Sequence, residues 1–159
     1  MLRLARVSDA PALAEMSRAL IETGLSWRYT PRRIAGLIGE RDSVVLVAGE
    51  TSAVNGFAAM QFGDERAHLV LLCVLAAQQR RGLGRAMHDW LLKSARVAGI
   101  ASVTLELRAD NTGALAFYRS LGYANVETVA GYYDGRIAAR RMTLALRQDA
   151  ATSRGEPPP

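Results

Sequence analysis

Three arginines and two glycines lie close together between residues 79 and 85, where they could bind a phosphate group. The run Gln79-Arg80-Arg81-Gly82-Leu83-Gly84-Arg85 follows an apolar strand pattern and opens a helical one. The first N–H groups of a helix have no partners within the helix, and the helix dipole places partial positive charge beside them. Glycines let an anion approach the backbone closely, and the arginines add full charges. The stretch, which we call the glycine turn, therefore predicts an anion site.

Two familiar phosphate-binding motifs do not fit the glycine turn. A dinucleotide-binding fingerprint requires a third glycine at the position of Met87. A Walker A loop requires Gly-Lys followed by Ser or Thr after four intervening residues, and this chain lacks that sequence. A tight turn that needs two glycines only for packing remains the structural alternative.

A second group of polar residues follows the next predicted strand. That strand, 102–108, contains Glu106, and Asn111 or Thr112 is placed to cap the following helix, which contains Tyr118. Strand–helix–strand units are parallel and right-handed, and ligands bind at the carboxyl ends of such strands. We therefore expect Glu106 to lie near the end of the strand that leads into the glycine turn.

The elements that must position these residues occur in the order strand, two helices, three strands, helix, strand, helix and two strands. Ser8 or Asp9 and then Thr30 are placed to cap the first two helices, and Tyr133-Asp134-Gly135-Arg136 predicts a hairpin turn between the last two strands. Trp27 and Tyr29 lie in the loop between the first two helices, where they could fill the core or form a substrate wall. The order predicts a single α/β (α+β) domain over residues 1–147, with a mixed, mostly antiparallel sheet of six to seven strands and helices on both faces. The polar, proline-rich tail at 148–159 is expected to be disordered.

The composition limits the classes of function. The chain has 159 residues and a net charge of +5, which invites nucleic-acid binding, but no Lys/Arg run is longer than two residues. An anionic cofactor accounts for part of this charge. A single cysteine excludes an internal disulfide, and two histidines, His68 and His88, are read as structural residues and predict no metal site. With neither a signal-peptide pattern nor a membrane-length apolar run, a cytoplasmic protein is expected.

Two motifs together resemble the acetyl-CoA-binding core of the GNAT N-acetyltransferase superfamily. They are the glycine turn and the pattern Asn111-x-x-Ala114-x-x-Phe117-Tyr118-x-x-Leu121-Gly122-Tyr123. The likeness covers roughly residues 2–146 and is strongest over 69–123. Within the superfamily the chain most resembles the ribosomal-protein alanine N-acetyltransferase group. That group has a Leu-Glu-Val-Arg strand where this chain has Leu105-Glu106-Leu107-Arg108, and a Tyr-Tyr pair before Asp-Gly-Arg.

The resemblance implies a GNAT-like fold and transfer of an acetyl group from acetyl-CoA to a primary amine. The acceptor could be a protein N-terminus, a lysine or a small molecule such as a polyamine. Glu106 would be the general base and Tyr118 the general acid that protonates the departing thiolate. Asn111 would contact the cofactor. The pantetheine arm would meet the backbone of Leu72, Cys73 and Val74, and the pyrophosphate would be held by Arg80, Arg81, Gly82, Leu83, Gly84 and Arg85.

Each of these roles has a structural alternative. Glu106 could simply pair with Arg108 or another arginine, and Tyr118 could be a packing residue. Cys73 has no evident base beside it, so it is read as a core residue and not as an acylated nucleophile. Direct attack in a ternary complex is therefore preferred. A non-catalytic acyl-CoA-binding or interaction module on the same fold is the rival function, and a homodimer is left open.

The chain departs from the family pattern where the acceptor would bind. The segment 132–142 is about three residues shorter than in the alanine N-acetyltransferase group, and it lacks that group's acidic residues after Asp134-Gly135-Arg136. The strand-to-helix turn also reads Leu75-Ala76-Ala77, where the family often has a proline. The sequence by itself therefore leaves the acceptor open, with the alanine substrate of that group as one hypothesis.

Overall fold

The computed structural model describes residues 1–147. The tail at 148–159, expected to be disordered, lies outside the described residues. None of the helices formed by the described residues is long and apolar enough to cross a membrane.

Strands and helices follow one another in the predicted order. The strands are β1 (Leu2–Leu4), β2 (Ser43–Glu50), β3 (Ala53–Phe62), β4 (Arg66–Val74), β5 (Ser102–Arg108), β6 (Ala124–Tyr133) and β7 (Ile137–Ala145). The α-helices are α1 (Ala10–Leu20), α2 (Pro31–Gly39), α3 (Leu83–Val97) and α4 (Thr112–Ser120). Short 3₁₀ helices at Val7–Asp9 and Ala76–Gln78 precede α1 and the glycine turn.

The strands form one seven-stranded sheet in the order β1-β2-β3-β4-β5-β7-β6. The pairs β1–β2, β2–β3, β5–β7 and β6–β7 are antiparallel, and β4 pairs with β5 in parallel. The predicted mixed, mostly antiparallel sheet is thus confirmed. The parallel ladder joins Arg66–His68 of β4 to Ser102–Thr104 of β5.

Contacts between Cα atoms group the described residues into two compact units. The first contains residues 1–61 and 69–94, and the second contains 62–68 and 95–147 of the described residues. In the first unit, α1 and α2 bury one face each in a core that includes Leu13, Ile34 and Phe57. Thr30 caps α2 as predicted, since its hydroxyl accepts a hydrogen bond from the Arg33 N–H.

Asp9 fastens the start of the first unit in a way that sequence reasoning did not foresee. Asp9 precedes α1 as a predicted cap would, but its carboxylate does not cap α1. It accepts hydrogen bonds from both terminal nitrogens of Arg3 at 2.8 Å, from the Arg6 N–H at 2.7 Å and from the Thr51 hydroxyl at 2.7 Å. The side chain is fully buried, and the Arg3 hydrogen bonds hold the pKa of Asp9 far below its usual range.

The second unit is built on the ladder of β5 with β7 and of β7 with β6. Alternate residues of β5, among them Val103 and Leu105, are buried, while Thr104 and Glu106 lie on the less buried face. Asp134 and Gly135 have positive φ angles of 52° and 66°, and the Arg136 N–H donates to the Tyr133 carbonyl at 3.0 Å. These features confirm the predicted hairpin turn between β6 and β7.

Candidate active site

The glycine turn has the strand–turn–helix geometry that the sequence predicts. The chain leaves β4, passes through the 3₁₀ helix at Ala76–Gln78 and enters α3 at Leu83. The N–H of Ala86 donates to the Gly82 carbonyl at 2.9 Å, which is the first turn of the helix. The N–H groups of Leu83, Gly84 and Arg85 therefore come before the intrahelical ladder begins.

The backbone of the glycine turn adopts the left-handed conformation at two positions. Gly82 has φ 79°, which favours glycine, and a Cβ built there would meet nothing within 4 Å. Arg80 has φ 63°, an uncommon conformation for a residue with a Cβ. The side chains of Arg80, Arg81 and Arg85 are exposed. The glycine turn therefore combines helix-terminal N–H groups with exposed guanidinium groups.

The end of β4 is held tightly before the turn begins. The Gln79 side-chain amide donates to the Val74 carbonyl at 3.0 Å, which ties the first residue of the turn back to the strand. A Cβ on Gly56 of β3 would lie 2.8 Å from the Cys73 carbonyl oxygen, so a glycine is needed for this close approach. Leu72, Cys73 and Val74 all lie beyond the part of β4 that pairs with β5.

Cys73 behaves as a core residue, as the sequence predicts. Its side chain is buried, and burial raises the pKa of the thiol to about 12. A thiol that stays protonated at neutral pH is a poor nucleophile.

Glu106 lies in the second unit at the centre of a cluster of charged side chains. Its Oε2 is 2.5 Å from His68 Nε2, and its Oε1 accepts a hydrogen bond from Arg141 Nε at 3.0 Å. Arg141 also pairs with Glu127. The register explains the assembly, because Arg141 of β7 lies opposite Glu106 on β5 and opposite Glu127 on β6. We call His68, Glu106, Glu127 and Arg141 the acid–base cluster.

The cluster favours the ionised form of Glu106. The hydrogen bond from His68 is the largest effect that lowers the pKa of Glu106, and the hydrogen bond and charge of Arg141 lower it further, although partial burial opposes this shift. The hydrogen bond to Glu106 raises the pKa of Arg141. Because an ionised carboxylate can only accept hydrogen bonds, Nε2 of His68 carries the proton in this pair.

The structural alternative for Glu106 was a pair with Arg108 or another arginine, and the structure has the second of these. Arg108 Nε is 3.3 Å from Asp110 Oδ1, and the arginine on Glu106 is Arg141. His68, read from the sequence as structural, is a direct partner of Glu106. The sequence contained a signal for this contact. His68 and Glu106 each alternate with apolar residues, on two strands that are predicted to be parallel neighbours. The register of β7, which brings in Arg141, had no local signal.

Asn111 caps the start of α4 and Tyr118 lies on that helix, both in the second unit. The Asn111 side-chain oxygen accepts a hydrogen bond from the Ala114 N–H at 3.0 Å, which confirms the predicted helix cap. Tyr118 is buried and packs edge-on against Phe117 and Tyr123, with ring centroids 5.1 and 5.5 Å away. A packing role for Tyr118 is thus present, and its role as the acid stays a prediction.

The loop between α1 and α2 is built around Glu22, a residue that sequence reasoning missed. The buried Glu22 carboxylate accepts hydrogen bonds from the Ser17 hydroxyl at 3.0 Å and from the N–H groups of Arg28 at 2.7 Å and Tyr29 at 3.2 Å. Guanidinium groups cover both loop aromatics: Arg18 lies 4.8 Å from the Trp27 ring centroid and Arg33 lies 4.5 Å from that of Tyr29.

No group of three or more potential metal ligands of the His, Cys, Asp or Glu type comes together among residues 1–147.

Comparisons with known proteins agree on one family. A family model described as the acetyltransferase (GNAT) family matches residues 13–123. The chain is 38% identical over 100 residues to the ribosomal protein bS18-alanine N-acetyltransferase of Escherichia coli strain K12, a match that covers 61% of this chain and 68% of the relative. It is 28% identical to the L-amino acid N-acyltransferase MnaT of the same strain, across 98% of this chain and 96% of the relative.

A solved structure gives the same result. The crystal structure of the ribosomal-protein-S18-alanine N-acetyltransferase from Escherichia coli superposes with a TM-score of 0.77 and 27% identity, covering 93% of this chain and 94% of that one.

The matched family and relatives are acetyltransferases, so the chain is an enzyme that transfers acetyl groups from acetyl-CoA to amines. The chain belongs to the acetyltransferase (GNAT) family, because the family model spans well over half of its length. The predicted family, fold and enzyme class are therefore confirmed.

Proposed function

We propose that the enzyme acetylates the α-amino group of a protein or peptide, with an N-terminal alanine as the preferred acceptor. The observation that carries this proposal is the similarity, in both sequence and structure, to the alanine N-acetyltransferase that acts on ribosomal protein bS18. The matched range of the family model, residues 13–123, includes the glycine turn and the strand containing Glu106.

The glycine turn fits the pyrophosphate of acetyl-CoA. Its helix-terminal N–H groups, its glycines and the exposed arginines are the donors that such a group requires. Binding is assigned to residues 80–85, with the backbone of Leu72, Cys73 and Val74 along the pantetheine arm and Asn111 as a further contact. Bound acetyl-CoA supplies the activated acetyl group, and the chain's own residues supply orientation and proton transfer.

Direct attack of the amine is favoured over an acetylated enzyme. The Cys73 thiol is buried with a pKa raised to about 12, so it is unsuited to accept the acetyl group. An amine must lose its proton to attack a thioester, and the departing thiolate must gain one. We assign the second step to Tyr118 and the first to the acid–base cluster around Glu106.

A free amino acid is the second candidate acceptor. It is favoured by the similarity to the L-amino acid N-acyltransferase MnaT, which extends over nearly the whole of both chains. Lysine side chains and polyamines are the remaining amine classes. A cytoplasmic location and a homodimer stay predictions from the sequence.

Turnover on matched acceptors separates these functions. Release of the CoA thiol would be followed with a peptide bearing a free N-terminal alanine, the same peptide with its N-terminus blocked and an internal lysine, free L-amino acids, and spermidine. The proposal expects turnover with the free peptide at a kcat/KM at least about tenfold above all others. Faster turnover of free amino acids would contradict the peptide assignment. Binding of acetyl-CoA without turnover of any acceptor would instead favour the non-catalytic module.

A further inference from the structure

Glu106 is poorly suited to act alone as the proton acceptor. Each of its oxygens already accepts a hydrogen bond, one from His68 Nε2 at 2.5 Å and the other from Arg141 Nε at 3.0 Å. A carboxylate paired with positively charged or hydrogen-bonding donors is a weaker base, because those donors stabilise its ionised form. Its side chain is also only 12% exposed, which limits its access to an incoming amine.

His68 has the properties that Glu106 lacks. Its side chain is 39% exposed, more than three times the exposed fraction of Glu106. Because Nε2 donates to the Glu106 carboxylate, Nδ1 is the ring nitrogen that keeps a lone pair able to accept a proton. A carboxylate that binds one imidazole nitrogen fixes the tautomer and ring orientation, and it stabilises the imidazolium that forms when the other nitrogen is protonated.

The charges of the cluster also favour uptake of one proton. Glu106 and Glu127 each carry a negative charge, while Arg141, which binds both of them, carries one positive charge. Around a neutral His68 the cluster therefore has an excess of one negative charge, which protonation of the imidazole removes. These groups lie on β5, β6 and β7, and Glu106 is the member that contacts His68 directly.

We propose that Nδ1 of His68, directly or through a water molecule, receives the proton that the attacking amine loses, and that Glu106 and Arg141 are positioning residues for it. The inference rests on the proposed amine acetylation. In the step, a bond forms between the amine nitrogen and the acetyl carbon, and the carbon–sulfur bond of the thioester breaks. The amine proton passes to His68, and the thiolate takes a proton from Tyr118. Exchange with solvent then restores both side chains.

The pH dependence of kcat/KM distinguishes His68 from Glu106 as the acceptor. The wild-type enzyme should lose activity towards acid, because an acceptor that already holds a proton cannot take up the proton of the amine. In His68→Gln, whose amide can still donate to Glu106, kcat should fall by about 100-fold and this acidic limb should disappear. In Glu106→Gln the limb should persist, because the imidazole of His68 is still present to accept the proton.

If Glu106 itself were the base, the two variants would behave in the opposite way. Glu106→Gln would abolish the limb, and removal of His68 would move it to higher pH, because the hydrogen bond from His68 is what lowers the pKa of Glu106. That result would overturn the inference. Asp64→Asn, an exposed carboxylate in the turn before β4, serves as the matched control and should leave the profile unchanged.

Chemical rescue provides a measurement that a purely structural role would not alter. Added imidazole should raise the activity of His68→Ala at least about tenfold, and it should not change the activity of Tyr118→Phe. A failure of rescue combined with a retained acidic limb in His68→Gln would overturn the inference. A wild-type enzyme that turns over no amine would overturn the proposed function first, and the two failures are thus distinguishable.

Discussion

At the level of single residues, the acid–base cluster separates two tasks that one carboxylate would otherwise have to perform. His68 and Arg141 favour the ionised form of Glu106, and the side chain of His68 is itself 39% exposed. The sequence predicts Glu106 through the family resemblance, but its partners, His68 and Arg141, come from two other strands. His68 could have been recognised from strand alternation, whereas Arg141 and Glu127 depend on non-local register, which no short pattern encodes.

Tyr118 supports a prediction at the same scale. Tyr118→Phe keeps the ring that packs against Phe117 and Tyr123 and removes only the hydroxyl. The proposed acid role expects kcat to fall by about 100-fold while the affinity for acetyl-CoA changes less than about twofold. Steady-state kinetics and calorimetry would measure the two quantities. Unchanged turnover would restrict Tyr118 to packing, and Tyr123→Phe is the matched control.

At the level of elements, buried carboxylates organise segments that have little periodicity of their own. Asp9 joins β1 to the β2–β3 turn through Arg3 and Thr51, and Glu22 orders the loop between α1 and α2. The helices and strands themselves were predictable, because their apolar spacing and their Gly, Pro and Thr punctuation are local signals. The two carboxylate centres were not, since each binds groups from segments that meet only after folding.

The Asp9 centre predicts a loss of stability in Asp9→Asn. The substitution leaves Arg3 without its buried partner, and we expect the free energy of unfolding at pH 7 to fall by about 3 kcal/mol. Urea denaturation would measure it. Glu15→Gln, which removes an exposed carboxylate 4.0 Å from Arg18, should cost less than about 0.5 kcal/mol. Equal effects of the two substitutions would contradict the assigned role of Asp9.

The buried Asp9 carboxylate also makes the folded state less stable towards acid. Since folding lowers the pKa of Asp9, the unfolded chain binds more protons below about pH 4, and the contribution of Asp9 is lost as the pH falls from there towards the native pKa. The stability difference between the wild-type protein and Asp9→Asn should therefore shrink between pH 5 and about pH 2. A constant difference over that range would be inconsistent with an ionised, paired Asp9.

At the scale of the whole molecule, the fold class and the order of the elements along the chain were predictable, while the order of strands in the sheet was not. β7 lies between β5 and β6, so the last strand inserts beside a strand from which it is separated by a helix and another strand. That choice depends on pairing energies between distant segments. The net charge of +5 favours association with a polyanionic cosubstrate, and this attraction weakens as salt is added.

The central claim is that the glycine turn binds acetyl-CoA and thereby makes the chain an acetyltransferase. Calorimetric titration of acetyl-CoA into the wild-type protein, Gly84→Leu and Gly36→Leu tests it most directly. Gly84 lies in the first turn of α3, where a side chain would block approach of the pyrophosphate, whereas Gly36 is an exposed position of α2 with nothing within 4 Å of a built Cβ.

We predict that acetyl-CoA binds the wild-type protein and Gly36→Leu with equal affinity. Its binding to Gly84→Leu should be at least about tenfold weaker, while the helical circular dichroism of that variant stays unchanged. Equal affinity of all three proteins for acetyl-CoA would contradict this prediction.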